Sequence, residues 1–217
     1  DKTRDSLYQR MEYYAFDSDP GRPSIWKLRG RRSPIAAVQS KNPRRIEIAI
    51  EPQFNRLAEN RTLDTLIIFD RGGKVLKGFD RLPEQNLNSF EEITLELAQK
   101  DLGKSLIKGF ISTSTDIQQF IVFPIYSNAT VLAYVYYGLS IQSLVDMFED
   151  DSGSVIYLPS GQTSSSNVLS DYSNELDRLD LKIGESTVTE IGGNFYTVSR
   201  RAFELVEEPS SIVFAKD

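Results

Sequence analysis

Apolar residues between positions 44 and 59 recur at helical spacing. Ile46, Ile50, Phe54 and Leu57 stand at i, i+4, i+8 and i+11, one face of an amphipathic helix. Pro52 falls inside it and is expected to kink it or remove one backbone bond. A shorter helical pattern, 5–16, sets Leu7, Met11, Tyr14 and Ala15 on one face, with Asp5 or Ser6 as cap. Pro and Gly cluster over 17–24 and end it. From residue 62 the pattern changes. Residues 63–70 read as a buried strand rich in β-branched residues, 71–73 as a tight turn and 74–79 as the returning strand. Residues 89–109 read as a helix, with Ser89 and Glu92 as a capping box. A short strand (110–115) precedes a second hairpin, 117–127 and 129–140, turning at Ser127-Asn128, and then a helix (141–150). The order then recurs in shortened form: a strand at 153–162, a helix at 170–179, a hairpin over 186–205 through Gly192-Gly193, and a strand at 210–217. Sequential antiparallel strands with helices laid on one face make an α+β fold.

Composition narrows the function classes more than the fold. The chain has 217 residues, is 40% hydrophobic and 11% aromatic, and contains neither Cys nor His. It therefore forms no disulfide, Cys-zinc site, thiolate nucleophile, Ser-His-Asp triad or His-ligated metal site. The longest apolar stretches fall well short of the ~20 residues of a spanning helix. The sequence begins at Asp1 with no Met and reads as an excised soluble piece of a longer protein.

Charge divides along the chain. Residues 1–61 hold 13 Lys+Arg against 8 Asp+Glu, a net of +5, while 62–217 hold 12 against 23, a net of -11. Residues 21–45 carry eight basic side chains and no acid. Their single aromatic, Trp26, and the acidic remainder argue for a solvated segment rather than a nucleic-acid surface, where several rings interleave with basic residues.

The stretch LIIFDRGGKVLKGF (66–79) resembles the opening strand–Asp-x-x-Gly–strand element of the Cache family, PAS-like extracytoplasmic sensor domains of bacterial membrane receptors. Residues 109–144, with their Pro124-Ile125 strand end and Leu139-Ser140 before a helix, resemble the family's next element. The stretch from Gly192 to Asp217 resembles the closing unit of a second module. The resemblance covers about residues 44–217 and rests on hydrophobicity and turn patterns. It implies an N-terminal helical stalk with a basic loop (1–61), a membrane-distal PAS-like module (62–149) and a smaller membrane-proximal one (150–217). It further implies a long N-terminal helix leaving a first membrane span, a second span after residue 217, and a homodimer through the N-terminal helices. The implied role is to bind a small molecule on the sheet face of the distal module and pass a helix shift to a kinase, chemoreceptor or cyclic-di-nucleotide output. The implied place is the periplasmic side of an inner-membrane protein, with no cofactor and no nucleic acid.

In Cache domains that bind amino acids, an Asp just before the Ile-Ser element holds the ligand's amino group. Here that register falls on Gly138, so the chain departs from the pattern and an amino-acid ligand is in doubt. The same register puts Tyr134 and Tyr136 on the pocket face, since strand side chains alternate. Arg81 after the second strand offers a fork to an anion. Ser112 and Ser114 share one strand face, and Tyr126 follows Pro124. Each has a plain alternative: core packing for the tyrosines, a solvated surface for Arg81, a sheet-edge cap for the serines. The acidic run 149–151 reads as a solvated linker rather than a metal site. Two other function classes remain. An enzyme would need paired carboxylates, and the strand ends offer only Asp70 and Asp217, in different modules. A protein-interaction module would fill the sheet face with its own side chains.

Overall fold

The computed structural model describes residues 9, 11, 26, 33–81, 106–112, 117–143, 146–147, 155–157, 176, 178–204 and 209–216. Of the helix expected over 5–16, Gln9 and Met11 are described; both are helical, and Met11 is buried. Two helices follow. The short α1 (Pro34–Gln39) is capped by Ser33, whose Oγ accepts the Ala36 N–H at 3.2 Å, and opens on Pro34 at N1. The longer α2 (Pro43–Glu59) is capped by Asn42, whose side-chain oxygen accepts the N–H groups of Arg44 and Arg45. It buries Ile46, Ile50, Phe54 and Leu57, the four positions the spacing selects, together with Ala58.

The first sheet has five strands: β1 (Thr65–Asp70), β2 (Val75–Asp80), β3 (Ile107–Ser112), β4 (Ile117–Ser127) and β5 (Thr130–Ser140), in the order β2-β1-β5-β4-β3. The β1–β2 turn is held by Asp70, whose Oδ1 accepts the N–H of Gly72 at 2.8 Å and of Lys74 at 3.0 Å. Gly73 supplies the positive φ of 87° that this turn needs. Two expectations shift here. The β4–β5 turn is Asn128-Ala129, one residue later than read, with φ of 50° and 62°. Residues 107–109, expected at a helix end, begin β3 instead. A short apolar run reads either way by periodicity, and pairing in the sheet decides it. Residues 89–105 of that expected helix lie outside the described residues; over 141–150 the described residues 141–143 and 146–147 are helical, and over 170–179 residues 176 and 178 are.

The second sheet has four strands, β6 (Val155–Tyr157), β7 (Ser186–Ile191), β8 (Asn194–Glu204) and β9 (Pro209–Lys216), in the order β6-β9-β8-β7. The β7–β8 turn is Gly192-Gly193, both at positive φ. Leu176, Ile191 and Val198 form the core below β7 and β8, with Leu179, Leu181 and Tyr196 packed against it. By contact the chain divides into two compact units, Asp1–Lys108 with Gln119–Leu139, and Gly109–Gln118 with Ser140–Asp217.

Candidate functional site

Strand register decides which face of the first sheet each candidate occupies. Phe79 pairs with Leu66, and Lys77 with Ile68. The Phe54 ring of α2 lies 5.6 Å from that of Phe79, and Glu47 of α2 takes a 2.8 Å ion pair from Lys77. The face carrying Leu66, Ile68, Lys77 and Phe79 is therefore the one α2 covers. Across the β1–β5 ladder, Leu66 pairs with Tyr137 and Ile68 with Val135, so Tyr137 shares that face.

The residues between these point the other way. Thr65 pairs with Gly138, Ile67 with Tyr136 and Phe69 with Tyr134; Thr65 also pairs with Asp80. Tyr134 and Tyr136 thus sit together on the face turned away from α2, as the alternation requires. Tyr136 is 1% exposed and stacks on Phe120 with centroids 5.6 Å apart and planes 12° apart. Tyr134 is half-buried. The end of this face is polar. Thr65 is fully buried beside Gly138, and Asp80, with its Oδ2 shut off from solvent, lies beside Thr65.

The other candidates fall elsewhere. Arg81 follows β2, and its guanidinium turns to the C-terminus of α2. Its Nη1 donates to the Ala58 carbonyl at 3.4 Å and lies 3.8 Å from the Asp64 carboxylate, while its backbone N–H donates to the Asp64 carbonyl at 2.9 Å. A cation there meets the negative end of the helix dipole. Asp64 is 1% exposed, and its N–H donates to the Gly138 carbonyl at 2.8 Å, extending the β1–β5 ladder. Tyr126 sits near the tip of the β4–β5 hairpin, 51% exposed. Ser112 ends β3, with its side chain outside the description, and Ser114 lies outside the described residues.

Trp26 is the residue the sequence reading missed. It is 6% exposed; its Nε1–H donates to the Tyr137 hydroxyl at 3.0 Å, and its ring meets Phe123 edge-on at 6.4 Å. Burial pushes the Tyr137 hydroxyl well above its usual range, and the Trp26 bond opposes that shift only in part. Trp26 is thus held against the α2-covered face. A lone Trp in an otherwise charged run was the available signal, since Trp is highly buried on average.

Among the described residues no group of three or more acidic side chains is placed to hold a metal ion, and no helix is long and apolar enough to cross a membrane. A helix-backed antiparallel sheet of order 2-1-5-4-3, with a second and smaller sheet unit following in the chain, is the architecture of tandem PAS-like sensory domains. The sequence agrees. Residues 30–214 match the family described as the double sensory domain of two-component sensor kinase, and the chain belongs to that double-Cache family. The segment is a sensory domain and not an enzyme. No curated protein matches the sequence. Among solved structures, the periplasmic domain of Vibrio cholerae LuxQ aligns at 13% identity and TM-score 0.58, covering 99% of this chain and 94% of that one. The extracellular domain of the putative histidine kinase vpHK1S-Z8 aligns at 10% identity and TM-score 0.53, covering 99% and 87%. Both likenesses concern the fold.

Proposed function

We propose that the chain is the extracytoplasmic ligand-sensing part of a transmembrane signalling receptor, with the site on the Tyr134/Tyr136 face of the first sheet. The observation that carries the reading is that face itself. It lies opposite α2, pairs two tyrosines with the aromatic stack of Phe120, and ends in buried polar groups at Thr65 and Asp80. A flat or aliphatic ligand body fits the rings, and each Tyr hydroxyl adds one hydrogen bond. In this reading residues 1–61 form the helical stalk, 62–149 the distal sensing module and 150–217 the proximal one. A shift of the N-terminal helix carries the signal across the membrane. Arg81, engaged with α2, steadies the floor of the module, and Ser112, Ser114 and Tyr126 are the outlying candidates.

The burial of Tyr136 against Phe120 favours a second reading, a module whose face is filled by its own side chains and which docks a periplasmic partner without a small ligand. A thermal-shift screen of the purified chain against small acids, amines and amino acids separates the two. A true ligand at 100 times its dissociation constant adds about 2.7 kcal/mol to the stability of the unit that binds it. Tyr134→Ala should abolish that gain while leaving the unliganded melting temperature nearly unchanged. A ligand gain untouched by Tyr134→Ala and by Tyr136→Phe would move the site elsewhere, and a screen with no shift would favour the partner-docking reading.

A further inference from the structure

β7 is the terminal strand of the second sheet, and among the described residues it pairs only with β8. Such an edge presents unpaired backbone groups, and proteins commonly blunt it with Lys, Pro or a bulge. The edge strand β2 of the first sheet carries Lys77, Gly78 and a register irregularity opposite Ile68/Phe69. β7 reads Ser-Thr-Val-Thr-Glu-Ile, with no Lys, Arg, Pro or Gly.

Register shows which of its groups are available. The two-residue turn Gly192-Gly193 closes the hairpin at the pair Ile191–Asn194, which is the hydrogen-bonded kind in such turns. Alternation from that pair aims the N–H and C=O of Thr189 and Thr187 at β8, and those of Ser186, Val188 and Glu190 outward. The side chains of these same three residues stand on the solvent face. Val188 is 67% exposed, and nearby Phe195, which pairs with Glu190, is 68% exposed.

We propose that β7 is a self-pairing edge whose occupant is β7 of a second copy of this chain, antiparallel about a two-fold axis at Val188. An isologous contact must be self-complementary, and this register is. Val188 meets Val188, the outward N–H and C=O groups meet in matched pairs, and each Glu190 faces Ser186 of the other copy. The Ser186 hydroxyl, already 2.8 Å from that of Ser199, has a carboxylate to meet. The two Glu190 carboxylates are offset by four residues, roughly 13 Å along the strands, so their repulsion is screened at ordinary salt. Centring the axis on Glu190 instead would oppose the two carboxylates directly, which is destabilising. The pairing joins two four-stranded sheets into one and covers the exposed Val188.

The chain contains no Cys, so one introduced thiol reports without background. Facing residues in a hydrogen-bonded antiparallel pair lie about 5.5 Å apart at Cα, within disulfide reach. The test oxidises Val188→Cys, with Thr197→Cys on β8 and Ile48→Cys on exposed α2 as comparisons, and sizes each chain by light scattering. The expected result is a covalent dimer from Val188→Cys forming on the order of tenfold faster than from Thr197→Cys, because only the former pair meets the distance limit. Val188→Lys should turn the reversible dimer of the parent chain into a monomer with an unchanged circular dichroism spectrum. A parent chain that stays monomeric at high micromolar concentration overturns the proposal. So does a dimer that cross-links through Ile48→Cys but not Val188→Cys, which would place the contact on α2.

Discussion

Replacing Tyr137 by Phe tests the bond that holds Trp26 to the core. The change removes one hydroxyl from a fully buried ring and deletes the 3.0 Å bond from the Trp26 indole. The edge-on packing against Phe123, at 5.1 Å, is retained. A neutral hydrogen bond contributes about 1 kcal/mol net, and stripping a buried donor of its acceptor raises the cost, so about 1–2 kcal/mol is expected at pH 8. The pH dependence adds a second, independent reading. Burial holds the Tyr137 hydroxyl above its ordinary pKa of 10.0, so the folded chain keeps a proton that the unfolded chain gives up. Stability from this group is complete below pH 10 and declines above it. By pH 11 the loss is about 1.4 kcal/mol for one such group. Tyr137→Phe has no proton there to hold, so its penalty should shrink by that amount between pH 9 and pH 11. Trp26 is the only Trp in the chain. Urea unfolding followed by its emission therefore reports on the unit in which both residues sit. A variant as stable as the parent at pH 8, or penalties that run parallel up to pH 11, would refute the reasoning.

Two further outcomes follow from backbone and packing. Ala129 holds φ 62° in the β4–β5 turn, a left-handed conformation that costs a Cβ-bearing residue about 1–2 kcal/mol. Ala129→Gly removes that strain, loses part of the gain to the freer unfolded chain, and should stabilise by about 0.5–1 kcal/mol in urea titrations; a less stable variant contradicts the turn geometry. Phe54→Ala, which empties the contact of α2 with Phe79, should cost about 3–5 kcal/mol. A loss below about 1 kcal/mol, within the range of a surface substitution, would mean that α2 does not cover this face.

Much of the fold was legible because local rules and long-range packing agree. The four apolar positions of α2 recur at a period that admits one structure, and Asp70-Arg71-Gly72-Gly73 admits one kind of turn. Where local rules tie, pairing decided. Leu106 to Gly109 reads as helix or strand, and the sheet takes Ile107 onward. The site was less legible. The alternation of β5 places Tyr134 and Tyr136 on one face, yet it does not say that Phe120 will stack on Tyr136. Arg81 looks available in sequence because nothing local marks its partners. Ala58 and Asp64 meet it only once α2 and β2 end side by side. Trp26 was hidden by its neighbours: a charged run suggests solvent, and nothing local marks Tyr137 and Phe123 as the partners of its ring.

Pro52 gives α2 a mechanical property. Proline withholds the N–H that would close a turn on the Ile48 carbonyl. Pro52 and Ile48 both lie on the exposed side of the helix, Ile48 at 68%. The rod is therefore stiff along its buried edge, where Ile46, Ile50, Phe54 and Leu57 grip the sheet, and soft along its outer edge. Bending that opens the outer side and wraps the helix further around the sheet meets little resistance, while bending the opposite way stretches the intact hydrogen bonds of the buried edge and drives the Pro52 ring against the Ile48 carbonyl. A load arriving at either end of α2 is thus resisted unequally in the two directions, and the helix behaves as a one-way flexure.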